Sequence, residues 1–263
     1  MIEASDTSNP GEHARSFGQA ADLYNDIRPD YPAAALEWML GEPKDVVDLG
    51  AGTGLLTRGL IALGHRVTAV DHDEQMLAKL VSLSPGLAAS HQGSAEALPL
   101  PDDSADAICG GQSFHWFDFD RALPEFARVL RPGGILAPIW NIRDESVDWI
   151  AALSEIIGSS QGELAATGPT EPGYFAPFFA DPERRVFRHE KILDRARLLR
   201  LVQSRSYFLT AGEERRREIL NAVGELVDTH PQLAGRETFA MPYDTHAFRA
   251  ARQDGAGSVV PPA

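Results

Sequence analysis

The stretch Asp48-Leu49-Gly50-Ala51-Gly52-Thr53-Gly54 decides the fold of this chain. Val46 and Val47 precede it and predict a buried strand, whereas residues 57–63 follow it with the apolar spacing of a helix. Glycines between a strand and a helix let the backbone turn tightly and lie against a ligand, because no side chain intervenes. The stretch therefore predicts a ligand-binding turn at the carboxyl end of a strand.

Short apolar runs and helical patterns alternate over the next hundred residues, as is typical of βαβ units around a parallel sheet. The chain thus predicts a doubly wound α/β domain. The predicted strands are 46–49, 66–70, 88–92, 105–109, 135–140 and 238–243, and the predicted helices are 17–28, 32–40, 57–63, 75–83, 121–130, 147–157 and 219–227. Residues 132–134 should end the helix before the fifth strand. Pro138 lies inside that strand, where a proline is expected only at an edge or a bulge.

The spacing of the glycines separates this turn from a dinucleotide-binding turn. A dinucleotide fingerprint places its last two glycines three residues apart, whereas Gly50, Gly52 and Gly54 are two apart. Asp71 ends the second predicted strand, 21 positions after Gly50 (71 − 50), where a carboxylate can accept both hydroxyls of a ribose. A solvated loop acid is the alternative for Asp71. Together the residues favour an adenosyl ligand without a pyrophosphate.

Other residues near the strand ends could border the same ligand. Met76 could lie beside the adenine, Ser94 and Ala95 could present backbone groups to its edge, and His72 adjoins Asp71. Persuasive metal-ligand spacing is absent, because the histidines lie on different segments and none pairs with the single cysteine. We therefore expect no metal site.

The amino-acid composition limits which binding partners and which cellular compartment are expected. The formal charge of −14 disfavours nucleic acid, whose binding depends on Lys and Arg that neutralise phosphates. A single cysteine and an N-terminus without a basic segment and apolar run predict a cytoplasmic protein. No apolar stretch is long enough to cross a bilayer, so no membrane association is expected. The expected partner is a small molecule that accepts a transferred group. The chain is expected to be a monomer or a homodimer.

Four motifs carry a resemblance to a known family: Tyr24-x-x-x-Arg28-Pro29-x-Tyr31-Pro32, Ala95-Glu96-Ala97-Leu98-Pro99, Gln112-x-x-His115-Trp116-Phe117 and Arg128-Val129-Leu130-Arg131-Pro132-Gly133-Gly134. With the glycine turn, they resemble class I S-adenosylmethionine-dependent methyltransferases, most closely the trans-aconitate methyltransferase-like subgroup. The resemblance implies a mostly parallel, seven-stranded, Rossmann-like sheet with helices on both faces, an N-terminal helical cap and inserted C-terminal elements. It also implies S-adenosylmethionine as cofactor, held by Asp48, Gly50, Gly52, Asp71, Ala95, Glu96 and Gln112, with Tyr24 and Arg28 covering the methionine end. Ala51, between the first two glycines of the turn, is expected to contact the cofactor as well.

We expect a single domain over residues 15–252, flanked by disordered tails at 1–14 and 253–263. Its core should be 44–141, with cap and substrate elements at 15–43 and 142–236. The segment 158–182 carries Tyr174, Phe175, Phe178 and Phe179, which could be core packing or a cover over a pocket.

His115 follows the fourth strand at the sheet edge where α/β proteins bind ligands. A neutral histidine there could remove a proton from the acceptor. If the acceptor is a carboxylate, as in the trans-aconitate relatives, His115 would only orient it. Packing beside Trp116 and Phe117 is an equally weighted alternative.

The predicted function is in-line methyl transfer from S-adenosylmethionine to a small organic acceptor, at oxygen. Two alternatives stay open: an NAD-linked oxidoreductase, and a regulatory protein that binds the cofactor without methyl transfer.

Overall fold

The computed structural model describes residues 27–158 and 168–253. One sheet has the strand order β3-β2-β1-β4-β5-β7-β6. The strands are β1 (Asp45–Leu49), β2 (Arg66–Asp71), β3 (Ala89–Gln92), β4 (Ala105–Gly111), β5 (Leu130–Arg143), β6 (Glu183–Leu193) and β7 (Phe239–Ala251). The helices are α1 (Ala33–Leu40), α2 (Leu55–Ala62), α3 (Glu74–Leu83), α4 (Phe119–Val129), α5 (Asp148–Ile157), α6 (Arg195–Gln203), α7 (Ser206–Leu209) and α8 (Glu213–Thr229). Short 3₁₀ turns span Phe114–Trp116 and Gly168–Thr170.

The first five strands pair in parallel, whereas β7 runs antiparallel to both β5 and β6. From β1 the chain moves outward through β2 to β3 and then returns to place β4 on the other side of β1. Open α/β sheets bind ligands at such a reversal, beyond the carboxyl ends of the strands. The predicted doubly wound, seven-stranded, mostly parallel sheet is confirmed, and its reversal places the candidate site between β1 and β4.

The edge strand β6 is absent from the sequence-based prediction. It carries Arg184, Arg185, Arg188 and Lys191, and most of its residues are exposed. Charged side chains protect an edge strand from pairing with other chains, but they also remove the apolar alternation that identifies a strand. The range 142–236, predicted to hold substrate elements, therefore also contains part of the sheet.

Two strands differ in length from the prediction. Strand β7 continues eight residues beyond Tyr243, to Ala251. Strand β5 begins at Leu130 rather than at 135, and its pairing with β4 shifts between Leu130 and Ile135. Residues 132–134, predicted to end the preceding helix, thus form an irregular excursion inside β5.

Pro138 is buried in β5, an interior strand, so the expectation of an edge or a bulge at this proline is wrong. It lies opposite Gly110 of β4. On the β7 side, the pairs Leu136 with Ala250 and Ile139 with Ala247 keep one register across the proline. The pairing of β5 with β7 is therefore interrupted at Pro138, which has no backbone N–H, but no extra residue is inserted in either strand.

The aromatic residues of 158–182 that the structure describes belong to the core. Phe175 and Phe179 are buried together with Phe114, and Tyr174 and Phe178 pack against the same cluster. The ring centroids of Phe114 and Phe175 are 6.5 Å apart. Core packing is thus confirmed for Phe175 and Phe179, whereas the partly buried Phe178 also lines a cavity with Arg128 and Arg252.

The predicted N-terminal helix 17–28 and the two predicted disordered tails lie outside the described residues, except for positions 27, 28 and 253. Helix α1 packs on the sheet against β6 and β7, so only the segment before it, 28–31, reaches the strand ends. Among the described helices, none combines the length and apolar character that a bilayer span requires.

Candidate active site

The turn after β1 requires glycine for two different reasons. Gly50, Gly52 and Gly54 have φ angles of 67°, 54° and 83°, a left-handed region that side chains rarely adopt. A Cβ at Gly50 would lie 2.7 Å from Cβ of Ser113, whereas a Cβ at Gly52 would meet nothing within 4 Å. The turn is thus pressed against the end of β4 at Gly50 and faces open space at Gly52.

Asp71 holds this turn in place from the end of β2. Its Oδ2 accepts a hydrogen bond of 2.7 Å from the N–H of Gly52, and its Oδ1 accepts one of 2.9 Å from the N–H of Asp73. Only 6% of Asp71 is exposed, which is unlike a solvated loop acid. Asp73 in turn caps α3 by accepting from the N–H groups of Gln75 and Met76.

Asp48 is completely buried before the first glycine. Its Oδ2 accepts a hydrogen bond of 2.5 Å from Oγ1 of Thr57, whereas its Oδ1 has no partner in the described part of the chain. Burial raises the pKa of Asp48 to about 7; the charge of Asp71 adds to this, and the hydrogen bonds with Thr57 and the charge of Arg58 oppose it. A buried carboxyl oxygen without a donor fits a site that awaits a polar ligand.

Two cavities flank the glycine turn and share Gly50. The first has a volume of about 120 Å³ and the second of about 310 Å³. The first is lined by Arg28, Pro29, Tyr31, Asp48, Gly50, Ala51, Gly52, Thr53, Leu55, Leu56, Gly111, Gln112, Asn141 and Arg205. The second is lined by Leu49, Gly50, Asp71, His72, Gly93, Ser94, Ala95, Glu96, Trp116 and Phe117.

Most of the predicted cofactor residues lie on these two cavities. Those on the first are Arg28, Asp48, Gly50, Ala51, Gly52 and Gln112, and those on the second are Asp71, His72, Ser94, Ala95 and Glu96, with Gly50 again. Met76 lines neither cavity and is 39% exposed on α3. Tyr24 lies outside the described residues.

His115 lies on the 3₁₀ turn after β4 and lines neither cavity. Its ring centroid is 4.7 Å from that of Trp116, and its buried Nδ1 has no hydrogen-bond partner among the described residues. Burial lowers the pKa of His115, which keeps the imidazole neutral near pH 7. Packing against Trp116 is thus visible, and a catalytic role stays a prediction.

Several residues of the site were not predicted from the sequence. Trp116 lines the second cavity and is 63% exposed, although large apolar side chains are mostly buried. Asn141 lines the first cavity, and a polar residue directly after a buried strand was the available signal. Arg205 also lines the first cavity, but it follows α6, which the sequence pattern did not reveal.

Arg28 and Arg205 bring two cations to the first cavity. Nη2 of Arg28 donates a hydrogen bond of 2.9 Å to the backbone oxygen of Ser204, which ties the N-terminal segment to the end of α6. The described residues supply no ion pair or side-chain hydrogen bond to Arg205. Its guanidinium therefore remains available to a ligand.

Over most of its length the chain is similar to known methyltransferases. It is 42% identical over 240 residues to an uncharacterized methyltransferase of Mycobacterium tuberculosis strain H37Rv, covering 89% of this chain and 95% of that one. The chain belongs to this methyltransferase family. A methyltransferase of Schizosaccharomyces pombe, likewise uncharacterized, is 35% identical and covers 83% of this chain and 89% of its own.

Residues 47–137 of this methyltransferase match a model described as a methyltransferase domain. The solved structure of a putative methyltransferase from an antibiotic biosynthesis pathway of Anabaena variabilis superposes with a TM-score of 0.55. It is 19% identical and covers 85% of this chain and 98% of that one, which shows a shared fold. These relatives favour methyl transfer over the NAD-linked alternative, and the trans-aconitate subgroup stays a prediction.

Proposed function

We propose that this methyltransferase uses S-adenosylmethionine and transfers its methyl group to an oxygen of a small organic acceptor. The observation that carries the proposal is the pair of cavities on either side of the glycine turn, both of which are lined by Gly50. A cofactor with an adenosyl part and an amino-acid part needs two connected compartments of this kind. The donor-free Oδ1 of Asp48 and the open space above Gly52 fit such a ligand.

The second cavity would hold the adenosine. Each oxygen of Asp71 accepts one backbone hydrogen bond, and Nδ1 of His72 lies 3.3 Å from Oδ1. A carboxylate has about four acceptor sites in all, so Oδ2 keeps one for a ribose hydroxyl and Oδ1 offers a second if His72 turns away. Ser94, Ala95 and Glu96 would face the adenine. His72 lies at the exposed rim of this cavity, and Met76 would contribute only if its side chain moved toward it.

The first cavity would hold the amino-acid part. Arg28 is the proposed partner of the cofactor carboxylate, since a guanidinium binds a carboxylate through parallel hydrogen bonds. Asp48 and Gln112 supply oxygen acceptors suited to the amino group. Tyr24 is proposed here on the resemblance alone.

Bound S-adenosylmethionine would supply an activated methyl group, whose carbon forms a bond to the acceptor oxygen while the electron pair of its bond to sulfur stays on sulfur. The protein's task is then alignment of the acceptor and exclusion of water. His115, on the turn after β4, is the proposed base or orienting residue. Because it lines neither cavity, this role requires an acceptor that extends beyond them to the imidazole. An acceptor that is already a carboxylate would need no base.

Methylation at oxygen has separate support. A relative from Methylococcus capsulatus, 40% identical over 46% of this chain, is named a malonyl-[acyl-carrier protein] O-methyltransferase. In the first cavity, Arg205 offers a guanidinium to an anionic acceptor. Both features favour an acidic acceptor over an amine.

A screen with cofactor labelled in the methyl group tests this proposal against small acids, phenols and amines. We expect a labelled product whose methyl group is released by mild base, as for a methyl ester. A base-stable product from a phenol would keep methylation at oxygen and change the acceptor class, whereas a methylated amine would contradict methylation at oxygen. Tight cofactor binding without any product would favour the regulatory alternative.

A further inference from the structure

Asn141 joins the N-terminal segment 28–31 to the carboxyl end of β5. Its Nδ2 donates hydrogen bonds of 3.2 Å to the backbone oxygens of Pro29 and Asp30. Its backbone oxygen accepts one of 2.9 Å from Nε2 of Gln112. Pro29, Gln112 and Asn141 all line the first cavity. One residue therefore fixes two walls of that cavity.

Thr245 of β7 completes the hydrogen bonding of Asn141. Its Oγ1 donates to Oδ1 of Asn141 at 2.6 Å, and both residues are buried. The orientation is unambiguous, because the backbone oxygens of Pro29 and Asp30 can only accept and so must face the amide nitrogen. The amide oxygen then faces Thr245, which must use its single proton there.

His189 of β6 is the next member of the chain. Its Nδ1 lies 3.1 Å from Oγ1 of Thr245, whose proton is already committed to Asn141, so Nδ1 must carry the proton and donate. The imidazole stacks on Tyr243 at 5.6 Å between centroids and an angle of 25°. From the same strand, Nζ of Lys191 pairs with Oδ2 of Asp30 at 3.4 Å. The segment 28–31 is thus anchored from the edge of the sheet.

We propose that His189, Thr245 and Asn141 are positioning residues that hold the segment 28–31 against the first cavity and thereby set the affinity for the amino-acid part of the cofactor. The inference rests on the proposed function. Without Thr245, the Oδ1 of Asn141 would be a buried acceptor without a donor, and that cost would weaken the contacts by which Asn141 holds the segment. Ligand binding would then have to order the segment that carries Arg28, at a cost in affinity.

The loss of affinity should be confined to one end of the ligand. The segment 28–31 contributes to the lining of the first cavity and contributes no residue to the lining of the second. Two probes separate the ends: S-adenosylhomocysteine, which has the amino-acid part, and 5′-methylthioadenosine, which lacks it. In calorimetry, we expect Thr245→Val to weaken the binding of S-adenosylhomocysteine about tenfold and that of 5′-methylthioadenosine less than about twofold. A loss of about tenfold corresponds to the cost of a buried acceptor without a donor. Thr245→Ser, which keeps the hydroxyl, should restore the wild-type ratio of the two dissociation constants.

Ile150→Val serves as the matched control, because Ile150 is fully buried in α5 and lines neither cavity. It should lower stability and leave the ratio unchanged. His189→Phe is a second test variant that keeps an aromatic ring on Tyr243 and removes the Nδ1 donor. Its dissociation constant for S-adenosylhomocysteine, divided by that for 5′-methylthioadenosine, should rise as for Thr245→Val. A wild-type ratio in both test variants would overturn the inference while leaving the proposed function intact. A wild-type protein that binds neither probe would overturn both.

Discussion

The Oδ2 of Asp71 accepts a hydrogen bond of 2.7 Å from the backbone N–H of Gly52, although the two residues belong to different strand-to-helix connections. The same carboxylate lines the second cavity, while Gly52 lines the first. Asp71 thus connects the two halves of the proposed cofactor site. A change at Asp71 should affect both the turn and the ligand.

Asp71→Ala should therefore lower affinity for S-adenosylhomocysteine at least about tenfold and destabilise the fold by roughly 1–3 kcal/mol, since the N–H of Gly52 loses its acceptor. Asp71→Asn keeps one acceptor oxygen and should lose less affinity and less stability than Asp71→Ala. Calorimetry and urea unfolding measure the two effects. Wild-type affinity in Asp71→Ala would remove Asp71 from the site.

Asp48 predicts a pH-dependent term in stability. Its pKa rises from 3.8 to about 7 on folding, so the folded state holds the proton more tightly than the unfolded state. The stabilisation from this proton is complete below pH 3.8 and is lost as the pH rises through about 7. Between pH 5 and pH 8 the free energy of unfolding should therefore fall by about 3 kcal/mol from this group.

Asp48→Asn removes this titration. Urea unfolding at pH 5 and pH 8 should show that the free energy of unfolding of the variant, relative to that of the wild type, increases as the pH rises. Titrating groups that do not interact with Asp48 cancel in that difference. Parallel stability curves for the two proteins would contradict a raised pKa at Asp48.

Trp116 offers a spectroscopic test of the second cavity. It is 63% exposed, whereas Trp140 and Trp149 are buried and Trp38 packs against Phe187. Adenosine bound beside Trp116 should alter its fluorescence, because the indole would exchange water for an aromatic ligand. Trp116→Phe should abolish most of the change while affinity falls only a few-fold. An equal fluorescence change in the variant would show that the ligand lies elsewhere.

His115→Ala separates catalysis from packing. If His115 removes a proton from the acceptor, turnover should fall by about a hundredfold or more while affinity for S-adenosylhomocysteine changes little. Steady-state rates with the acceptor found in the labelled screen provide the measurement. Wild-type turnover would leave His115 with only its contact to Trp116.

Strands β1, β2 and β4 could be predicted closely because each is an apolar run that ends at a glycine or an aspartate, whereas the polar strand β3 is a weaker signal. Strand β6 could not, since an edge strand with one solvated face carries charges where a buried strand carries valine or isoleucine. The cavity residues of the glycine turn were predictable from local spacing. Asn141 and Thr245 were not paired in advance, because they are 104 positions apart and only antiparallel packing of β5 against β7 brings them together.

Calorimetric titration of the wild-type protein with S-adenosylhomocysteine and, separately, with NAD tests the proposed cofactor most directly. The two cavities on either side of Gly50 predict one binding site per chain for S-adenosylhomocysteine and no measurable binding of NAD, whose pyrophosphate the glycine spacing does not accommodate. Binding of NAD without binding of S-adenosylhomocysteine would contradict the account.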